Sequence, residues 1–510
     1  MNGLLRRGMS RLLSLSALGL LVVASAADVP AASRRPYGGT LRWPLLLGIP
    51  NGDPARVRTE EDVHFARQLH ENLFRRTDDG ALLPALAQKE PEIGDGGRDW
   101  LIHLRPKAVF HDGAQVTVED VIASWENLLR AESPAAHWWL LAPVEGAVAF
   151  HCGDRTRITG LERVNRKTLR IRLRYPLPGF ADALAALPTA VRRKRGSSLG
   201  AGAGPFVTAA EPAGPDRRLM PFLEHWRGRP FVDQVLLRSF QSTREAQLAF
   251  DLGKLDAVRP SRMERPTGAE SIRAGMDSRV FLVLNPERLA ELPAGFRRAL
   301  DRAIDRRRLA DYLLGERAAA SDELLSVGAT GPRTEGPPAH PDEARRFFKG
   351  VALKQLGLPA MLEFIVRKEQ PLEHDAAERI QMDLNEVGVS VFVVPLGEAE
   401  YLQRVVDGDF DFRLIRQMPL VRDGELQLLS VVAQTRGAQA VADLLDELGA
   451  LPVGEDRAGI VRERARGLLA QLPWLPLFVY RDEIVHSSAL RGLRLDRSGA
   501  AALASVWLAE

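Results

Sequence analysis

Apolar side chains recur at every second position from Trp100 to Leu104, with Ile102 between them. A period of two predicts a half-buried β-strand, because successive side chains point to opposite faces of a sheet. Asp112-Gly113 follows and predicts a tight turn, since glycine adopts positive φ values at little cost. The segment is therefore predicted to be a strand that leads into a turn.

Helical periodicity begins directly after that turn. Thr117 and Asp120 have the spacing of a capping box, and apolar residues then recur at helical intervals up to Leu128. The same patterns predict further helices over 60–74, from Ser242 to Leu252, over 296–304, from Asp305 onward and over 377–387, strands over 163–173 (a hairpin), 281–284, 389–394 and 410–414, and a surface loop over 328–341. The chain is predicted to be a mixed α/β protein without internal repeats.

Composition narrows the class of protein. The chain has 510 residues, 45% of them hydrophobic, which is enough to bury two or three cores. Cys152 is the only cysteine, so an intrachain disulfide is excluded. The net charge of +3 is small beside 69 basic and 66 acidic residues, so no overall basic field favours nucleic acid as a partner. The basic run Arg192–Arg195 is interpreted as a solvated loop, because no aromatic residues are interleaved with it.

The N-terminus has the pattern of an export signal. Arginines at 6, 7 and 11 precede an apolar stretch over 12–23, and Ala24-Ser25-Ala26 offers a cleavage site between small residues. Residues 1–26 are therefore predicted to be a signal peptide, exported by the Sec route or, through Arg6-Arg7, by the twin-arginine route. An uncleaved anchor is the alternative. No cysteine lies near the cleavage site, so the expected product is a periplasmic protein and not a lipoprotein.

Two glycine-containing motifs match enzyme or cofactor signatures only in part. Residues 196–200 read G-x-S-x-G, but a hydrolase nucleophile elbow needs an apolar strand before Ser198, and four basic residues stand there. The glycines of 200–204 lead into Pro205 rather than into a helix, which argues against a dinucleotide loop. We therefore predict no catalytic residue and no cofactor, and interpret this segment as a linker.

Metal binding finds little support in the spacing of the histidines. His64 and His70 are six residues apart and do not share a helix face, and no HxH or HExxH sequence occurs. His111 is interpreted as a structural hydrogen-bonding residue. No resident metal is predicted, although a metal chelate stays open as an alternative cargo.

The order of short motifs along the chain resembles one protein family. The segment 100–125, with its FHDG turn and DVIAS helix, resembles the signature of the family 5 extracellular solute-binding proteins, periplasmic receptors that deliver peptides, and sometimes nickel or sugars, to ABC importers. Similar resemblances recur in collinear order at 69–88 (LHENLFRRTDDGALLPALAQ), 202–206 (GAGPF), 222–238, 249–258, 296–318, 377–396 and 473–480 (PWLPLFVY). They cover nearly the whole chain after the predicted signal peptide.

The resemblance implies a bilobed, type II periplasmic-binding-protein fold of the α/β class with a third domain. Residues 36–58, 187–275 and 478–510 would build lobe I, residues 59–186 the extra domain, and residues 280–477 lobe II. Ligand would bind in the cleft between the lobes and close a hinge. The expected partners are ABC permease subunits in the inner membrane, with the receptor itself a monomer and transport energy coming from a separate ATPase.

One segment departs from the family pattern and bears on the cargo. In peptide-binding relatives the strand corresponding to 413–418 offers main-chain hydrogen bonds, but the family's tryptophan position falls near Gln417 and its DYxDP element is missing. We expect Asp423 to bind a ligand amine, with Glu425 as its competitor, whereas Arg413 and Arg416 favour an anionic group.

These four charged residues have surface salt bridges as their alternative role. Asn51, in the irregular segment near the start of the mature chain, joins Arg413, Arg416, Gln417 and Asp423 as a candidate substrate-binding residue. Peptides, or a related small solute, are the expected cargo. A secreted hydrolase acting through Ser198 and a solute sensor that regulates a membrane receptor are the alternatives of other classes.

Overall fold

The structure is a computed structural model that describes residues 36–46, 50–77, 80–130, 136–195, 198–209, 216–260, 269–275, 277–289, 295–326, 336–350, 361–418, 420–452, 457–496 and 499–509. The predicted signal peptide lies outside these ranges, as does most of the predicted loop over 328–341. Within the described ranges, no helix combines the length and the apolar character that crossing a membrane requires.

Helices and strands alternate along the described chain. The helices are α1 (Glu60–Leu69), α2 (Val118–Leu129), α3 (Ala147–His151), α4 (Phe180–Ala185), α5 (Thr243–Asp251), α6 (Pro286–Leu289), α7 (Phe296–Ala303), α8 (Arg306–Leu314), α9 (Pro341–Gly350), α10 (Pro371–Glu386), α11 (Glu398–Val406), α12 (Gly424–Gly449) and α13 (Arg457–Gln471). The strands are β1 (Thr40–Leu46), β2 (Phe74–Arg76), β3 (Leu82–Pro84), β4 (Glu92–Gly94), β5 (Asp99–His103), β6 (Leu161–Asn165), β7 (Thr168–Arg172), β8 (Lys194–Arg195), β9 (Ser198–Leu199), β10 (Phe206–Thr208), β11 (Arg217–Pro221), β12 (Gln234–Phe240), β13 (Ala257–Val258), β14 (Glu270–Arg273), β15 (Ser278–Leu284), β16 (Ala318–Ala320), β17 (Leu362–Arg367), β18 (Val391–Leu396), β19 (Phe412–Gln417), β20 (Trp474–Tyr480), β21 (Glu483–His486), β22 (Leu490–Arg491) and β23 (Trp507–Leu508).

Four sheets organise the molecule. Sheet A has the strand order β1-β12-β11-β10, and sheet B has the order β13-β21-β14. Sheet C has six strands in the order β16-β20-β15-β19-β17-β18, and sheet D has the order β4-β5-β7-β6. Each of sheets A, B and C contains neighbouring strands that come from distant parts of the chain, such as β1 and β12, β13 and β21, and β15 and β20.

Parallel strand pairs set the direction of sheets A and C. In sheet A, β1 runs parallel to β12, with Leu46 opposite Phe240 at their carboxyl ends. In sheet C, β17 runs parallel to both β18 and β19. Loops that follow the carboxyl ends of parallel strands are where ligands bind in open α/β sheets. The two sheets therefore each have one edge at which a site is expected.

The chain passes between sheets B and C at two short crossings. The first runs from the end of β14 at Arg273 to the start of β15 at Ser278, and the second runs from Tyr480 to Glu483. The two crossings are joined, because the Nε atom of Arg481 lies 3.0 Å from Oδ1 of Asp277.

The strand, turn and helix predicted over 100–128 fold as expected. Strand β5 covers Asp99–His103, Gly113 has a φ of 79°, and Thr117 forms a capping box with Asp120 at the start of α2. Ser242 caps α5, and Asp305 caps α8 by accepting a hydrogen bond from the N–H of Arg308 at 3.0 Å. The hairpin predicted over 163–173 is β6 and β7. These predictions are confirmed. Capping and periodicity depend on residues that are close in sequence, so such features can be recognised without knowledge of the tertiary fold.

Helix α1 is shorter than predicted. It ends at Leu69 rather than at residue 74, and His70 has an extended backbone with φ −124° and ψ 154°. The ring of His70 is buried, with Nε2 2.8 Å from the carbonyl oxygen of Gly52. Glu71 then forms a β-bridge with Val191. Tertiary contacts thus end a helix whose apolar periodicity continues.

The interpretation of the basic run Arg192–Arg195 as a solvated loop is confirmed only in part, because Lys194 and Arg195 are exposed but form a strand, and Arg192 and Arg193 are half-buried. Arg192 lies 2.7 Å from a carboxylate oxygen of Asp53, and Arg193 and Arg195 both form ion pairs with Asp112. Residues 194–195 form β8, which pairs antiparallel with β9. Ser198 is therefore in a two-residue strand of a hairpin, and residues 200–205 form no helix, so the strand-to-helix turn of a nucleophile elbow is not formed here.

Candidate ligand-binding cleft

A cavity of about 490 Å³ lies between the carboxyl-terminal edges of sheets A and C. On the sheet A side it is lined by Leu46 at the end of β1 and by Ser242 and Thr243, which follow β12. On the sheet C side it is lined by the ends of β17, β19 and β20 and by the first turn of α10. The edges at which a site was expected from strand direction therefore face the same space.

Two further walls complete the cavity. The start of α1, from Val57 to Glu61, contributes polar and charged groups, while Ala136–Trp139 contributes an aromatic surface. Helix α12 adds Gln427, Ser430 and Gln434. The volume falls within the range of small-molecule sites, and the mixture of apolar and convergent polar groups is typical of them.

Most of the charged side chains in the cavity wall already have partners of opposite charge. Arg367 pairs with Glu373, and Arg259 pairs with both Glu60 and Glu61. Burial alone would lower the pKa of Arg367, but its contacts with Glu373 raise that pKa above the usual range. These pairs make the wall polar without giving it a large net charge.

Arg416 is the centre of a network that joins the cavity to the second crossing. Its Nη2 atom lies 2.8 Å from Oδ2 of Asp482 and 3.0 Å from Oγ of Ser278, and it also pairs with Glu60. Its guanidinium group lies over the ring of Tyr480 at 5.1 Å. Burial acts to lower the pKa of Arg416, yet Asp482 and Tyr480 raise it. Arg416 therefore lines the cavity, but its charge is already paired with carboxylates of the protein.

The other predicted site residues are dispersed. Gln417 lines the cavity, next to Arg416. Arg413 does not line it, and its guanidinium lies 5.5 Å from the ring of Phe410. Asn51 is exposed and also outside the cavity wall, where its N–H donates to Asp62 Oδ1 at 2.6 Å. The structure thus brings two of the five predicted residues into one cavity.

Asp423 has a structural role in the fold. Its Oδ1 atom accepts a hydrogen bond from the N–H of Leu426 at 3.0 Å and so caps α12, and it does not line the cavity. Burial raises the pKa of Asp423 to about 6, Glu425 and Asp182 add to the rise, and the Leu426 hydrogen bond opposes it. Glu425, its predicted competitor, is buried and pairs with Arg457 at 2.5 Å.

We expect Asp423→Asn to stabilise the protein at neutral pH by about 2 kcal/mol. A carboxyl group whose pKa is about 6 when folded and about 3.9 when unfolded destabilises the folded state above pH 6, and this effect disappears below pH 4. The gain should therefore shrink as the pH falls from 6 to 4. Urea unfolding at a series of pH values measures it.

Asp423→Ala is the matched control for the cap. Alanine removes the charge but cannot accept the N–H of Leu426, so it should gain about 1 kcal/mol less than asparagine at neutral pH. An asparagine variant that is less stable than the wild type at pH 7.5 would contradict the assignment.

Sequence reasoning missed several residues of the cavity wall. Arg279 is the second residue of β15 and lies two positions before the predicted strand over 281–284, and Glu369 follows β17. The Oε2 atom of Glu369 is buried without a hydrogen-bond partner, and Lys368 lies 3.7 Å from its Oε1. The sequence does show a charged residue at the end of each apolar strand. Such a residue indicates a site only when the direction of the strand in the sheet is known.

Histidine positions bear on the metal prediction. Nε2 of His111 lies 3.0 Å from the carbonyl oxygen of Gly204, so its predicted structural role is confirmed. On the exposed side of α10, His374, Asp375 and Glu378 place potential ligand atoms within 4.8 Å of one another. Such a set on one helix is common without a metal and lies apart from the cavity described above.

Known structures with the same fold support the architecture. The Escherichia coli murein tripeptide-binding protein MppA matches with a TM-score of 0.79 over 92% of this chain and 98% of its own, at 18% sequence identity. At this identity the likeness establishes the fold alone, and it confirms the predicted type II periplasmic-binding-protein fold.

Curated relatives match over shorter segments. The probable deoxycholate-binding periplasmic protein YgiS of Escherichia coli K12 is 30% identical over 31% of this chain and 30% of its own length. The periplasmic oligopeptide-binding protein OppA of the same strain is 29% identical over 34% of this chain and 33% of its own. The matched segment thus spans about a third of each relative.

A family model covers the larger part of the chain. Residues 81–438 match the model described as bacterial extracellular solute-binding proteins, family 5 Middle. This range includes sheet D, most of sheet C and much of the cavity wall. The protein therefore belongs to the family 5 bacterial extracellular solute-binding proteins.

Proposed function

We propose that this protein is the periplasmic substrate-binding subunit of an ABC importer, and that it captures a peptide or a related small solute in the cavity between sheets A and C. The observation that carries the proposal is the cavity itself, which faces the carboxyl ends of parallel strands in both sheets. Membership of the family and the names of the periplasmic relatives support it.

The distribution of strands among the sheets supports the domain division that the family resemblance predicts. Sheets A and B draw their strands from 36–58, 187–275 and 478–510, the proposed lobe I. Sheet D lies within 59–186, the proposed extra domain, and sheet C lies almost entirely within 280–477, the proposed lobe II. Strand β15 begins two residues before position 280, and β20 ends three residues after position 477. The two crossings would then form the hinge.

Strand β19 supports a peptide as cargo. It pairs with β15 along its whole length, but its register with β17 covers only Phe412 and Arg413. Beyond Arg413, no strand of the described residues pairs with this edge of β19, and Ile415 to Gln417 line the cavity. An extended ligand could add main-chain hydrogen bonds there by β-augmentation. Glu369, which lines the cavity, is better placed than Asp423 to bind a ligand amine.

Export, localisation and partners follow from the same proposal. The signal peptide over 1–26 would be removed on export without lipid attachment, and the ligand-bound monomer would dock on permease subunits in the inner membrane. A solute sensor, the alternative, would copurify with a signalling protein instead of a permease. For a secreted hydrolase, Ser198→Ala should abolish activity.

Ligand should both compact and stabilise the protein. A peptide that contacts both lobes binds the closed state preferentially, so the radius of gyration should fall on binding. At a peptide concentration of 100 times Kd, the free energy of unfolding should rise by about 2.7 kcal/mol. Small-angle scattering and urea unfolding, with a peptide whose binding calorimetry has established, measure both. Binding without any change in radius would contradict hinge closure.

A further inference from the structure

Arg279 is a buried cation in the cavity wall with an incomplete set of hydrogen bonds. Only 4% of its surface is exposed, and its Nη2 atom donates to Oε1 of Gln427 at 3.2 Å. Its Nε and Nη1 atoms are buried and have no hydrogen-bond partner. Among the described residues, no carboxylate forms an ion pair with it.

A buried guanidinium N–H without an acceptor costs free energy, because this N–H lost its hydrogen bond to water when the protein folded. Burial lowers the pKa of Arg279 to about 10, although Asp277 and Glu323 act to raise it. The group is therefore still charged at neutral pH. Asp277 is engaged by Arg481 at the crossing, so it does not serve as a dedicated counterion.

Arg279 also differs from the partly buried arginines that line the cavity, because it has no carboxylate partner among the described residues. Arg259, Arg367 and Arg416 each contact at least one carboxylate of the protein. Arg58 also lines the cavity, but it is exposed to solvent, where water satisfies its charge. Arg279 is thus the buried cation of the described cavity wall whose anion is not supplied by the wall.

The surroundings of Arg279 suit an oxyanion. Gln417 is its partner across the β15–β19 pair, so both side chains lie on the same face of sheet C. Helix α12 adds the hydroxyl of Ser430 and the amide of Gln434. These neutral groups can donate hydrogen bonds to an anion without competing for the guanidinium as a carboxylate would.

We propose that the cavity takes a solute with an anionic oxygen group, a carboxylate or a phosphate, which binds the Nε and Nη1 donors of Arg279. This inference rests on the proposed function and deepens it, because it names the charge of the cargo and the residue that selects it. It replaces Arg413 in the role predicted for an anion-binding arginine, and Arg416 is already engaged by Asp482 and Glu60.

Matched pairs of probes test the selection. Calorimetry would compare tri-alanine with tri-alanine amide, and glucose 6-phosphate with glucose, for the wild type, Arg279→Gln and the control Arg346→Gln. Arg346 is exposed on α9 and lies outside the cavity wall, so its variant removes the same charge at a distance. The anionic member of one pair should bind the wild type and the control at least tenfold more tightly. Arg279→Gln should lose this preference.

The two pairs distinguish a carboxylate from a phosphate as the bound group. Equal or tighter binding of the neutral members, or a preference that persists in Arg279→Gln, would overturn the proposal. If no probe binds the wild type, the result counts against peptides and hexoses as cargo and thus against the proposed function. The role of Arg279 as an anion-binding residue is then tested by the stability of the ligand-free protein.

The melting temperature of Arg279→Met provides that second measurement. Methionine fills similar space and removes the buried charge, so a residue kept for an external anion should be replaced without loss of stability, or with a gain. A melting temperature unchanged or raised relative to the wild type supports the proposal. A fall of 5 °C or more, with Arg346→Met unchanged, would show that Arg279 holds the fold together and would overturn it.

Discussion

Gly204→Ala is expected to lower the free energy of unfolding by about 3 kcal/mol. An added Cβ would lie 2.5 Å from the backbone nitrogen of His70 and 2.6 Å from the carbonyl oxygen of Gln68. The N–H of Gly204 donates to the carbonyl oxygen of Leu69 at 3.0 Å, so the two backbones are held together. The end of α1 would have to move, and with it one wall of the cavity. Urea unfolding measures the loss.

Gly200→Ala is the control within the same segment. Its added Cβ would meet the Cδ of Arg195 at 3.2 Å, the flexible part of a side chain, so the change should cost less than about 1 kcal/mol. Equal losses at Gly200 and Gly204 would show that backbone approach is not what requires glycine in the GAGPF motif.

Arg416→Ala should have an effect of similar size, about 3 kcal/mol, at the lower end for a broken buried ion pair because a quarter of this side chain is exposed. The carboxylate of Asp482 loses its 2.8 Å contact, Glu60 loses one of its two described arginine partners, and the ring of Tyr480 loses its cation. Since Asp482 belongs to the second crossing, ligand-induced compaction should weaken as well. Urea unfolding and small-angle scattering measure the two effects.

Arg413→Ala, on the same strand, is the control for that change. Its guanidinium packs over Phe410 and away from the cavity, so its removal should cost about 1 kcal/mol and leave compaction unaltered. A loss at Arg413 as large as at Arg416 would contradict the central position that we give to the Arg416 network.

Much of the fold could be predicted because its determinants are local. The capping boxes at Thr59 and Thr117, the latter predicted from its spacing, need only four residues to be recognised, and the family motifs supplied the order of the segments. The end of α1 could not be predicted in this way. It depends on contacts between His70 and Gly52 and between Glu71 and Val191, which are separated by 18 and 120 positions.

The site was predictable in its location and less so in its residues. Strand β19 was expected at the ligand, and its Gln417 and Arg416 do line the cavity. Asp423 was chosen as the acidic residue that follows β19 most closely in sequence. In the structure it caps a helix, which an aspartate three residues before Leu426 can equally do. Arg279 belongs to the same cavity only through strand pairing across 138 positions, and no spacing in the sequence reveals that.

The strand order also determines when the sheets can form during synthesis of the chain. Strand β20 occupies an interior place in sheet C, and β21 is the middle strand of sheet B, yet both lie within residues 474–486. Neither sheet can form completely until residues 474–486 have been synthesised. Until then β13 and β14 have no common neighbour, and β15 lacks one of its two. Pairing between segments so far apart in sequence is slow, so the chain stays incompletely folded for a long interval, as the proposed export through a narrow pore would require.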